Sequence, residues 1–148
     1  MRKSNIGGWQ SEDAQGQPAC MRPLFHAIHR IANSAYQDLG IPREAELQTW
    51  WANINKYKDV NVTHVHPFSF VSGCVYIKSP DMEAKTVFER PDSMDDYLPP
   101  SEATEFNIRQ YRVPPDEGRI VIFPAWLRHL VEPNMTQEDR ISIAFNFR

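Results

Sequence analysis

Residues 140–147 read Arg-Ile-Ser-Ile-Ala-Phe-Asn-Phe, and their alternation decides the fold class. On a strand, successive side chains point to opposite faces. Ile141, Ile143, Phe145 and Phe147 then form one strongly apolar face, and Arg140, Ser142, Ala144 and Asn146 form a small, polar one. In an ordinary two-sided sheet the polar face would simply be wet. If a helix covers the Ile/Phe face instead, the polar face is free to line the inside of a barrel. The same division runs through two other segments. Val71, Gly73, Val75 and Ile77 oppose Ser72, Cys74 and Tyr76, and Trp50, Ala52 and Ile54 oppose Trp51, Asn53 and Asn55. An interior of Asn, Ser, Tyr and Arg is poor core material and reasonable cavity lining.

Working outward, period-two runs follow one another after Pro42: LQTWWANIN, VNVTHVH, FVSGCVYIK, KTVFER, FNIRQYRV, RIVIF, HLVEP and RISIAFNF. Turn residues separate most of them, among them Lys58-Asp59, Ser79-Pro80-Asp81, Pro114-Pro115-Asp116 and Pro133-Asn134. Before Pro42 the period differs. Met21, Leu24, Phe25, Ile28, Ile31, Ala32, Ala35, Tyr36 and Leu39 recur at helical spacing, with Gly40 as the stop. The pattern predicts a lead-in over residues 1–18, one amphipathic helix over 21–39 packed on the outside, and about eight strands over 45–148 in a single domain. With no helices alternating between strands, an antiparallel barrel or sandwich is expected, not a parallel α/β sheet.

Composition narrows the classes further. The 148 residues carry a formal charge of −3, with 41% hydrophobic and 24% charged residues, which is ordinary globular composition. A pI near 5.9 leaves no electrostatic footprint for nucleic acid or an anionic membrane. No apolar run approaches the ~18 residues needed to span a bilayer, and MRKSNIGGWQSED turns polar where a signal peptide needs its apolar stretch. Cys20 and Cys74 are too few for a disulfide framework, so reduced thiols in the cytoplasm are expected, each a small buried hydrophobe. One stretch breaks the strand rhythm. Residues 89–105 carry Glu89, Asp92, Asp95, Asp96, Glu102 and Glu105 against Arg90 alone, with Pro91, Pro99 and Pro100. It reads as a long acidic loop, either a binding lid or a solvated excursion.

Five histidines remain as candidate chemistry. His26 and His29 share a helix face at i, i+3 without a third ligand nearby, and read as surface residues. His64 and His66 point the same way on a strand, about 6.6 Å apart along the chain. They are either polar strand residues or two ligands awaiting a third, and His129 is the remaining histidine in the strand region. Three neutral imidazoles would form one facial triad with open positions for a co-substrate and oxygen. A hairpin around Asn134–Asp139 would pair position 129 with 144, putting His129 and Arg140 on one face, on the order of 13 Å apart. At that offset a guanidinium can grip the far carboxylate of a short dicarboxylate chelating the metal. The plainer alternative for Arg140 is a surface arginine answering Glu138 or Asp139.

These residues resemble the non-haem Fe(II) and 2-oxoglutarate-dependent oxygenases, whose signature is H-x-D/E, a distal His, and an Arg or Lys roughly ten residues later, often as R-x-S. The chain has His64-x-His66, His129 and Arg140-Ile141-Ser142. The wording is most similar to a group of small bacterial and phage members. It shares Gly8-Trp9-Gln10-Ser11, Trp51-Ala52-Asn53, His64 through Tyr76, Gly118 through His129, and Arg140 through Asn146. The resemblance implies a double-stranded β-helix, a jelly-roll or cupin-like barrel, with Fe(II) as cofactor and 2-oxoglutarate and O2 as co-substrates. It implies His129 as distal iron ligand, His64 as first ligand, and His66 where a carboxylate usually stands. Arg140 becomes the 2-oxoglutarate clamp, assisted by Ser142, with Tyr76 and Asn53 toward the co-substrate. An alternative register makes His66 the first ligand and gives the acid position to Phe68, which cannot coordinate. The implied reaction is hydroxylation of a C–H bond with release of succinate and CO2 in a bacterial or phage-infected cell. The substrate is a small molecule or, by fold analogy, a peptidyl or prolyl group, with Trp51 and Trp126 as contacts and the acidic loop favouring a basic peptide.

Two rivals follow from the same residues. Gly118, Pro124, Trp126, His129 and Asn134 approach the second cupin motif; that reading gives a three-histidine dioxygenase needing no 2-oxoglutarate, and leaves Arg140 nothing to hold. The other rival is a metal-free barrel that serves as a binding module.

Overall fold

A computed structural model describes residues 4–92, 101–102, 104 and 107–148. The helix α1 spans Arg22–Asp38, entered through a 3-10 turn at Ala19–Met21. It ends as the sequence predicts: Gly40 takes φ +68°, and the Gly40 and Ile41 amides donate to the Gln37 and Tyr36 carbonyls. This is the Schellman arrangement, which needs a left-handed residue where glycine sits.

Ten strands occur among the described residues: β1 Asn5–Ile6, β2 Trp9–Gln10, β3 Leu47–Asn55, β4 Val60–His64, β5 Val71–Lys78, β6 Thr86–Glu89, β7 Gln110–Val113, β8 Ile120–Pro124, β9 His129–Val131 and β10 Arg140–Phe147. They form two antiparallel sheets, in the orders β1-β4-β9-β6-β7 and β2-β3-β10-β5-β8. This mainly-β, two-sheet architecture with one helix is the expected class.

The second sheet separates its faces as the alternation requires. Outward, Val71, Val75, Ile143, Phe145 and Phe147 pack against Phe25, Ile28, Ala32 and Tyr36 of α1. Burying this aliphatic and aromatic surface is the main favourable term in the fold. Phe25 meets Trp50 edge-on at 5.4 Å, and Tyr36 meets Phe70 at 6.1 Å. Gly73 lies directly opposite Phe145. A Cβ there would fall 2.6 Å from the Phe145 ring and 2.3 Å from the Val121 carbonyl oxygen, so glycine is what lets that ring cross the strand.

Three expectations are corrected. Residues 5–10 are not a loose lead-in: β1 pairs with β4 and β2 with β3, so this segment bridges the open edges of both sheets. β9 and β10 do not form a hairpin. β9 lies between β4 and β6, while β10 lies between β3 and β5 in the other sheet, because the residues between them cross from one layer to the other. Asn134 holds that crossing, donating to the Asn55 and Glu138 carbonyls and accepting from Thr136. Cys20 is exposed, because the 3-10 turn carrying it buries none of its residues. Most of the acidic stretch, including residues 93–100, lies outside the described residues; Glu89 closes β6.

Candidate active site

The inner faces of the two sheets enclose a cavity of about 450 Å³. On the second sheet its wall is built in cross-strand rows, since opposed residues in an antiparallel pair share a face. Arg140 opposes Asn55. Next come Asn53, Ser142 and Tyr76 in one row, then Trp51, Ala144 and Cys74, then Thr49, Asn146 and Ser72; of these, all but Tyr76 and Ser72 line the cavity. All four β10 residues of the polar face line the cavity, so the alternation seen in residues 140–147 becomes a wall.

The first sheet faces this wall with imidazoles. His64 at the end of β4 pairs with His129 at the start of β9, and Phe88 of β6 flanks His129 on the other side. His66 lies just beyond β4, held by its backbone amide donating to the Ala125 carbonyl. The nitrogen donors of His64, His66 and His129 lie within 4.8 Å of one another. The Nδ1–H of His64 donates to the Val62 carbonyl at 2.8 Å, and that of His129 to the Leu127 carbonyl at 2.9 Å. A carbonyl only accepts, so both rings are fixed in the tautomer that leaves Nε2 a bare lone pair. The Nε2 atoms of His66 and His129 are 3.3 Å apart. Two nitrogens at right angles on one ion, each at ~2.1 Å, would be about 3.0 Å apart. Burial holds all three rings in the neutral form that ligates. It pushes His66 down to about 3, with help from the other two rings, and His129 to about 4, and it lowers His64.

Arg140 is 2% exposed, and its Nε and Nη1 are buried without hydrogen-bond partners. Its guanidinium lies 5.6 Å from the centre of the Tyr76 ring. A buried, unpaired guanidinium is costly unless an anion completes it. Trp51 stacks toward His66 at 5.8 Å and shares a row with Ala144, four residues along β10 from Arg140. That is ~13 Å between those two backbone positions on an extended strand; the expected pairing of position 129 with 144 does not occur, because β9 and β10 lie in different sheets. The residues thus fit both a divalent metal and a dicarboxylate reaching from it.

Other sequence-derived candidates are placed as follows. Ser142 and Asn53 line the cavity beside Arg140. The Tyr76 hydroxyl is engaged with Thr86 at 2.7 Å, a bond joining the two sheets at this end of the cavity, and burial raises the Tyr76 pKa. Thr86, which lines the cavity, was not singled out in the sequence. Its alternation with Val87 would have placed it on the same face as Phe88. Trp126 is 62% exposed and does not line the cavity. His26 is exposed, and His29 packs edge-on to Phe147 at 5.0 Å, apart from the cluster. Phe68 reaches only the cavity rim.

A cavity between two antiparallel sheets, with clustered imidazoles and a buried guanidinium, defines the double-stranded β-helix oxygenase class. Residues 49–146 match the family described as "Putative 2OG-Fe(II) oxygenase", and the chain belongs to that family, whose members use Fe(II) with 2-oxoglutarate. Comparison with curated proteins gave no match. Among solved structures, it is similar to a Pseudomonas putida prolyl-4-hydroxylase at 16% identity, covering 99% of this chain and 74% of that one, with a TM-score of 0.65. A viral collagen prolyl hydroxylase from Paramecium Bursaria Chlorella virus-1, solved with 2-oxoglutarate, is 13% identical over 99% of this chain and 80% of that one, TM-score 0.65. A 2OG-Fe(II) oxygenase family protein from Burkholderia pseudomallei is 11% identical over 85% of this chain, TM-score 0.63, and the chain covers 56% of its length. No helix among the described residues is long and apolar enough to cross a membrane.

Proposed function

We propose that this chain is a 2-oxoglutarate-dependent hydroxylase in which His64, His66 and His129 hold Fe(II) and Arg140 clamps the co-substrate. The observation that carries the reading is Arg140, whose Nε and Nη1 are buried without hydrogen-bond partners, in a cavity that also holds the three clustered imidazoles. With O2, the iron and 2-oxoglutarate supply the oxidation: one oxygen atom enters a substrate C–H bond, the other goes into succinate, and CO2 leaves.

The chain's own residues set up that chemistry. The Val62 and Leu127 carbonyls orient two imidazoles through their Nδ1–H groups, as outer hydrogen bonds commonly orient metal-ligating histidines. Arg140 offers its fork to the distal carboxylate, with Ser142 beside it and the Tyr76–Thr86 pair closing that end of the cavity. Asn53, in the same row as Ser142, faces the co-substrate. His66 replaces the carboxylate common in such triads, so the dianionic co-substrate carries more of the charge neutralisation. Hydroxylation of a peptidyl or prolyl group is in keeping with the two prolyl hydroxylases the fold is similar to.

The test is anaerobic. Fe(II) followed by 2-oxoglutarate should produce the visible metal-to-ligand charge-transfer band, and succinate should form once O2 and a substrate are admitted. Iron bound without that band would refute the 2-oxoglutarate reading and leave a three-histidine cupin-type dioxygenase.

A further inference from the structure

The Tyr76 side chain spans the two sheets beside Arg140. Its ring centre lies 5.6 Å from the guanidinium carbon, and its hydroxyl lies 2.7 Å from Oγ1 of Thr86. Tyr76 is fully buried and Thr86 is 2% exposed, yet they stand differently toward the cavity. Thr86 lines it and Tyr76 does not. On β6, Thr86 opposes Val131 and lies two residues from Phe88, which opposes His129. Its side chain therefore falls on the face that carries the imidazoles, ~6.6 Å further along the strand.

Each hydroxyl carries one hydrogen and can also accept, and the contact between them uses one of the two hydrogens. Burial holds the phenol protonated. A phenol is also a stronger hydrogen-bond donor than an aliphatic alcohol, which is the better acceptor of the pair. Cys74, two residues back on the same face of β5, also reaches the phenol, but a thiol sulfur accepts only weakly. The phenolic hydrogen therefore goes to Thr86 Oγ1. That leaves the Thr86 hydrogen for the cavity, at the end where Nε and Nη1 of Arg140 are buried without partners. A carboxylate has about four lone-pair sites, so a guanidinium fork that takes two leaves room for a hydroxyl donor from the opposite sheet.

Resting on the assignment of 2-oxoglutarate to Arg140 above, we infer that Thr86 is a co-substrate-binding residue whose hydroxyl donates to the distal carboxylate. Tyr76 is a positioning residue: it stays behind the cavity wall and acts through Thr86, occupying an Oγ1 lone pair and turning the Thr86 hydrogen toward the cavity. This division of roles differs from the one the resemblance implies, in which Tyr76 itself faces the co-substrate. Arg140 and Thr86 grip one carboxylate from the two sheets.

The test is an anaerobic titration of Fe(II)-loaded protein with 2-oxoglutarate, read by the charge-transfer band. Thr86→Val keeps the branched shape, removes the hydrogen, and should weaken 2-oxoglutarate by roughly ten- to a hundredfold; Thr86→Ser restores the hydroxyl and should recover most of that loss. Tyr76→Phe should cost a few-fold alone and nothing further in the Thr86→Val background, since the hydroxyl it acts through is already gone. A second ligand, 2-oxovalerate, has a methyl group in place of the distal carboxylate. It should bind wild type and Thr86→Val alike, which a merely structural defect would not allow. Unchanged 2-oxoglutarate affinity in Thr86→Val, or an equal loss of 2-oxovalerate, overturns the inference. So does a Tyr76→Phe loss that persists in full without the Thr86 hydroxyl, which would return the contact to Tyr76. Wild type that binds iron but forms no band with 2-oxoglutarate fails earlier, at the co-substrate assignment, and takes this inference with it.

Discussion

Replacing Arg140 with methionine should move stability and co-substrate affinity in opposite directions. In the ligand-free protein, Nε and Nη1 of Arg140 are buried with no hydrogen-bond partner, and each such buried polar group costs about 1–3 kcal/mol. Methionine fills much of the same space without that cost, so with two such atoms Arg140→Met should raise the ligand-free unfolding free energy by on the order of 2–6 kcal/mol. The same change removes the fork that receives a carboxylate. Two charge-assisted hydrogen bonds at about 1.5–3 kcal/mol each amount to a loss of roughly two to four orders of magnitude in 2-oxoglutarate affinity. Urea unfolding without ligand and anaerobic titration of the charge-transfer band measure the two effects separately. In wild type, saturating 2-oxoglutarate at a hundred times its Kd should add about 2.7 kcal/mol of stability, and in the variant almost none. A variant that is less stable than wild type while still binding 2-oxoglutarate normally would refute the reasoning, because Arg140 would then be a structural residue.

Other expectations follow from the same geometry. Burial keeps His66 and His129 at about 3 and about 4, below the ordinary 6.5, so the unfolded chain takes up protons that the folded one refuses. Metal-free stability should therefore be fully present above pH 6.5 and fall as pH drops toward 4, by up to about 1.4 kcal/mol per pH unit for each histidine; urea midpoints at pH 7.5 and 5.0 in chelator, compared with His66→Asn, check the slope. Gly73→Ala puts a methyl group into the Phe145 ring and the Val121 carbonyl and should cost about 1–3 kcal/mol in a thermal melt, whereas the same change at Gly118 meets open space and is opposed only by its positive φ. Asn134→Ala strips the buried bonds to Asn55, Glu138 and Thr136; a loss of about 2–4 kcal/mol is expected, and a Tm within a degree of wild type would show that the crossing holds without it.

Several features of the site needed no structure to be seen. Alternation in residues 140–147 and 71–78 assigns each side chain to the core or the cavity, because the period of two is a property of the strand itself. The two-residue spacing of His64 and His66 brings both to one site although only His64 belongs to β4 and His66 lies just beyond it, and the step of three and four from Phe25 to Tyr36 sets the face of α1. Local periodicity does not say which strands become neighbours. The sequence places His129 and Arg140 eleven residues apart, yet they sit in opposite sheets, and their alignment depends on backbone pairing between residues more than sixty positions apart.

By itself, then, the sequence determined the outward and inward faces, the helix and its glycine stop, and the residue types available for a metal and an anion. Only the tertiary structure decided that the N-terminal segment bridges both sheets, that Thr86 meets Tyr76 across the cavity, and that Phe68 is held in a left-handed turn at its rim. The physical reason is the range of the interactions. Side-chain direction follows from neighbouring residues, whereas the burial that neutralises the imidazoles and leaves Arg140 unpaired exists only once two distant layers close over the same space.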